Sequence, residues 1–114
     1  MNFLFPWVLW LNNNPKGYRF SVNGTMGAKD VYFEVDETLC PDYVFEPEHR
    51  LIPLSDMEWY INKNKHLPDI PNANEVKENG IDVAKMNKLL LQKVEELTLY
   101  IIKQQEQIDQ LKNK

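Results

Sequence analysis

The side chains that could do chemistry in this sequence are few and scattered. Glu46, Glu48 and His49 stand together in the stretch EPEHR, which sets two carboxylates beside an imidazole. Such a trio is half of a metal site. A closed shell needs ligands from a second cluster, and none is evident, so the stretch reads as surface charge. His66 precedes Leu67-Pro68, where an imidazole finishes a helix or bonds the turn. Cys40 has no base beside it to make it a nucleophile. As the single cysteine it also excludes an intrachain disulfide and a CxxC zinc site. No pair of carboxylates sits in an apolar setting that would push their pKa values apart. The glycines read as turns or caps, not as a phosphate-binding loop. Trp7, Trp10 and Trp59 could form a sugar platform, but read as core fillers. The expectation is a protein that is not an enzyme, with no cofactor and no metal.

Composition narrows the classes further. The chain has 114 residues, 43% hydrophobic and 26% charged, which suits one folded domain with an appendage. Its net charge of −4 argues against non-specific nucleic-acid binding, which needs clustered Lys and Arg. A zipper-type transcription factor lacks its basic half here, because Asn72 to Lys85 is nearly neutral and broken by Gly80. The apolar run from Phe3 to Leu11, interrupted by Pro6, is too short for a membrane span of about 20 residues. It has neither the basic start nor the small-residue cleavage site of a signal peptide. It reads as a buried strand or an anchor on a neighbouring chain, with a degraded signal or a truncated start as the alternative.

The elements that would position any site follow from local pattern. Residues 1–17 form the apolar segment and a loop ending at Asn12 to Gly17. Residues 18–53 form a β region. Tyr18, Phe20 and Val22 share one face, Val31, Phe33 and Val35 another, and Asn23-Gly24 supplies the hairpin turn. Pro47 and Pro53 make the following stretch irregular. Residues 54–80 hold two short helices joined by a proline-rich link. Ser55 is the expected N-cap of the first, with Glu58 completing a capping box and Leu54 stapled on Trp59. Asn72 with Glu75 starts the second, and Gly80 ends it. Residues 81–114 hold the last helix, capped by Asp82 and running to about Leu111. Its roughly 30 residues span about 45 Å.

That helix carries a heptad. Asn87, Val94, Ile101 and Ile108 fall at a; Val83, Leu90, Leu97, Gln104 and Leu111 fall at d. Only Asn87 and Gln104 are polar, so the pattern favours a coiled coil over an amphipathic helix packed on its own domain. β-branched residues and Asn at a with Leu at d favour a parallel dimer. The e and g flanks, Ala84, Leu91, Thr98, Gln105 and Met86, Lys93, Tyr100, Gln107, are mostly uncharged and cannot select partners by ion pairs. Leu89, Leu99 and Ile102 are apolar outside the seam, which suits a third helix or packing on the chain's own domain.

Taken as ordered blocks, Tyr18 to Leu111 resembles the C-terminal region of repetitive surface and tail-fibre-like proteins of Bacteroidetes and their phages. The blocks are SVNGTMGAKDV at Ser21 to Val31, then DYVF, HLPDIP, EVKENG and KLLLQKVEELTLY. The resemblance implies a C-terminal module that trimerises a longer fibre and sets the register of its shaft. In role it is similar to the intramolecular chaperone domains of phage tail spikes. Those often cut themselves off at a serine, but neither Ser21 nor Ser55 sits in a recognisable cleavage motif. Residues 1–17 carry no repeats, so the shaft belongs to another polypeptide or this is a truncated or stand-alone copy.

The combined expectation is an α+β chain with a small N-terminal β region, two short helices and a long C-terminal coiled-coil helix. It forms a homo-oligomer, a trimer or else a dimer, without nucleic acid or membrane span. Its seam is Val83, Asn87, Leu90, Val94, Leu97, Ile101, Gln104, Ile108 and Leu111. The implied setting is a virion tail fibre or a bacterial cell surface. The partners would be a fibre shaft or a cell-surface receptor. The rival function is an adhesin tip whose exposed aromatics bind glycan or a host protein, and a self-processing hydrolase is a weaker one.

Overall fold

A computed structural model describes residues 17–34 and 42–114. The chain divides into two units, Met1–Tyr32 and Phe33–Lys114. The first unit, in its described part, is irregular backbone with bends at Arg19-Phe20 and Asn23-Gly24. The second contains a 3₁₀ turn, Asp42–Phe45, and three helices: α1, Leu54–Asn64; α2, Ala73–Asn79; and α3, Val83–Lys112.

The α+β expectation is therefore overturned. Among the described residues there is no strand, and the chain is helical. The alternation of Tyr18, Phe20 and Val22 with Val31 and Phe33 does not build a β core: Tyr18, Phe20, Val31 and Phe33 are all about half exposed. The physical reason is size. A lone two-stranded hairpin is marginal in water without a third strand or a helix to cover one face, and nothing in the pattern supplied either. Val35, Cys40 and the run Phe3 to Leu11 lie outside the described residues.

The helix ends follow their cap residues, with one exception. Asn72 Oδ1 accepts from the Glu75 amide at 2.8 Å, and Gly80, at φ +74°, closes α2 with its amide on the Val76 carbonyl. Asp82 Oδ1 accepts from the Lys85 amide at 3.1 Å and starts α3, whose 30 residues span about 45 Å. The exception is α1. Ser55 is not its cap: the helix begins two residues earlier than a Ser55 cap would place it, with Pro53 in the cap position and no side-chain bond there. Proline needs no partner for an amide it lacks, and its fixed φ suits the entry to a helix. The Leu54–Trp59 staple fails with it, because Leu54 now lies inside the helix. At the far end Lys65 adopts φ +62° and its amide bonds the Ile61 carbonyl.

Tertiary packing is slight. Among the described residues no helix packs on another helix; the 3₁₀ turn alone seats on α3, with Val44 as its buried side chain. From Phe45 the chain continues as an irregular strap to Pro53. It follows α3 in the same direction, from the level of Gln92 to that of Tyr100.

Candidate functional site

The strap decides which faces of α3 are covered. Between Val83 and Tyr100, apart from Ala84, every buried or half-buried residue falls at heptad positions b, c, f or g. Beneath the 3₁₀ turn and strap the fully buried members are Gln92, Glu95 and Glu96. Every a and d position, Val83, Asn87, Leu90, Val94, Leu97, Ile101, Gln104, Ile108 and Leu111, is exposed. Ile101 is 63% exposed and Leu111 68%. The usual polarity of a surface helix, apolar face inward and polar face outward, is reversed in this chain. It buries Gln92, Glu95 and Glu96, with Met86, Leu89 and Leu99 half-buried on the same side, and presents the aliphatic a and d stripe to solvent.

The sheltered side is a polar cluster. Tyr43 Oη donates to Gln92 Oε1, and Gln92 Nε2 donates to Glu96 Oε1 at 3.4 Å. Lys93 Nζ lies 3.2 Å from Glu96 Oε1 and 3.7 Å from Asp69 Oδ2. His49 Nε2 lies 3.4 Å from Glu96 Oε2, and its ring meets Tyr43 edge to face. Glu96 thus gathers three partners, which a buried carboxylate needs to offset its desolvation. Beside it, Glu95 Oε2 is buried with no hydrogen-bond partner. Burial, and then the Glu96 carboxylate, raises the Tyr43 and Tyr100 hydroxyls above the ordinary tyrosine range.

His49 is therefore not plain surface charge. It leaves Glu46 and Glu48 exposed and joins the cluster under the strap. No sequence signal pointed there, because Tyr43 and His49 meet residues 47 to 49 positions away. His66 bonds the turn as expected, through Nδ1 and the Leu67 carbonyl at 2.8 Å, with Tyr60 edge-on to its ring. Trp59 carries Lys63 over its ring and stays exposed. Among the described residues no group of three or more His, Cys, Asp or Glu side chains is placed to hold a metal ion.

Leu99, Tyr100 and Ile102 lie outside the a and d stripe, and the strap accounts for them. Leu99 and Ile102 line an open groove with Val44, Phe45 and Leu51. Tyr100 Oη donates to the Ile52 carbonyl. Leu99 and Ile102 are on α3's outer side and Tyr100 is on its g flank; of the stripe, Gln104 alone lines a groove with the strap, beside Ile52 and Leu54, and it stays exposed.

No family of known proteins matches this chain, and no curated protein or solved structure matches it either. Among the described residues no helix is long and apolar enough to cross a membrane.

Proposed function

We propose that this chain is a non-enzymatic assembly module. Its α3 joins copies of itself in parallel, as a homotrimer, and so fixes the register of a fibre or surface protein, in the manner of a tail-fibre C-terminal domain. One observation carries the reading: the reversed polarity of α3. The chain's own strap occupies the outer heptad positions and leaves a continuous a and d stripe, Val83 to Leu111, free for sister helices. A helix that hid its stripe against its own domain would show the opposite pattern.

Magnitudes agree. A half-exposed aliphatic side chain gains roughly 1 kcal/mol on full burial. Summed along the stripe and over several chains, that reaches the roughly 4–15 kcal/mol cost of association. Asn87 and Gln104 give up part of this gain, and polar seam positions commonly fix register and strand number. The e position next to the stripe holds the exposed, apolar Leu91. A trimer covers that flank more fully than a dimer.

Registration is a mechanical function. Short repeats pair with weakly specified register, and a terminal coiled coil holds the chains aligned at high effective concentration. Helical circular dichroism melts over a concentration series test the reading. An oligomer melts higher as protein concentration rises; a midpoint that ignores concentration overturns it.

The adhesin reading draws on Tyr32, 92% exposed in the first unit. Glycan-array signal from the isolated chain would favour it; a silent but associated chain would favour assembly.

A further inference from the structure

We infer that α1 of each chain packs against the α3 of a second copy of this chain, on the e flank that carries Leu91 and Thr98. The inference rests on the coiled-coil reading above and adds a second contact to it.

An 11-residue helix is too short to persist alone in water, where helices below about 12–15 residues are marginal. Yet among the described residues no helix of its own chain packs on α1. Leu54, Met57 and Ile61 are three and four residues apart and share one face. Leu54 and Ile61 are exposed. So α1 has an apolar face that no helix among the described residues covers, although Leu54 at its start lines a groove with Tyr100 of its own chain.

Its tethers identify that surface. Just before α1, the Ile52 carbonyl accepts from Tyr100 Oη. Beyond its end, Asp69 pairs with Lys93 at 3.7 Å. Tyr100 and Lys93 are successive g positions of α3, so α1 is fastened at both ends to the g flank. In a parallel in-register coil the g flank of one helix faces the e flank of its neighbour. That e flank is bare: Leu91 and Thr98 are both exposed. A covered g flank with an unpartnered helix on it therefore meets an uncovered e flank with an apolar residue on it. In a closed ring every such groove is filled in the same way.

Two single-cysteine chains test this, Ile61→Cys and Leu91→Cys, each in a Cys40→Ser background and one enlarged by a mass tag. They are unfolded together, refolded, and treated with a short bismaleimide. The expected product is a cross-link between the tagged and untagged chains. An assembled chain that yields no such product, or a double variant that links only within one chain, overturns the inference and leaves the coiled coil standing. A chain that does not assemble overturns both. Independently, Leu54→Ser/Ile61→Ser should weaken assembly at least about tenfold with α3 helicity kept; unchanged assembly overturns the α1 contact.

Discussion

Tyr43 reaches Gln92 across 49 residues and closes the 3₁₀ turn onto the outer side of α3. That bond fixes which side of the long helix the chain covers for itself. Because Gln92 is at an f position, the strap that follows is directed along b, c, f and g. The aliphatic a and d stripe is then left for another helix.

Tyr43→Phe removes the hydroxyl and leaves the buried Gln92 oxygen without its donor. Stranding a buried acceptor costs about 1–3 kcal/mol. Chemical denaturation should show the unfolding free energy lowered by that amount, read as a lower midpoint at an unchanged denaturant slope. An unaltered midpoint would mean that the turn is not held by this bond.

Tyr100→Phe is the milder counterpart, because the Ile52 carbonyl it frees is partly exposed and can take water. We expect a loss of about 0.5–1.5 kcal/mol. Amide exchange should quicken in the strap around Ile52 while the centre of α3 is unaffected. Faster exchange throughout α3 would show that the strap stabilises more than its own path.

Glu95 buries an oxygen with no partner. A buried carboxylate in that state is unfavourable, so Glu95→Gln should be neutral or raise the melting temperature. The same change at Glu96, which His49, Lys93 and Gln92 all approach, should lower it. Equal effects at both positions would contradict the assigned network.

Alkali should loosen the strap. Burial first, and the Glu96 carboxylate next, raise the Tyr43 and Tyr100 hydroxyls above 10.0. The folded chain therefore keeps these protons when the unfolded chain has lost them. This contribution to stability is complete below the unfolded pKa and disappears as pH rises through the folded values. Melting temperature should fall above about pH 10, and less steeply in the double variant Tyr43→Phe/Tyr100→Phe. A wild-type curve flat across that range would sink the assignment.

Where the physics is local, the sequence was legible. Asn72, Gly80 and Asp82 cap the helices as their types predict, since a cap bond spans three residues and depends on little else. The length of α3 and its stripe were legible for the same reason. The β region was not. Alternation at Tyr18, Phe20 and Val22 reports only that a strand would have one apolar face, not that any surface exists to cover it. The cap of α1 was misplaced because Ser55 and Pro53 both suit a helix start, and the proline's constrained backbone prevailed. The polar cluster was illegible because its partners are far apart in sequence. In a heptad, Gln92, Glu95 and Glu96 read as a solvated outer face, and nothing local shows that a strap will cover them.

Leu97→Lys places a charge in the centre of the exposed stripe, and Glu106→Lys places one on the outer side. The first should abolish association at micromolar concentration, because a charge buried in an interface without a partner costs several kcal/mol. The second should leave it intact. If both variants dissociate alike, the stripe is not the interface.

Light scattering on the eluting wild-type protein at micromolar concentration tests the central claim most directly. The account predicts a particle of three times the 13.5 kDa chain mass. A particle of twice that mass would contradict the trimer and keep the coiled coil, and a particle of one chain mass would contradict assembly itself.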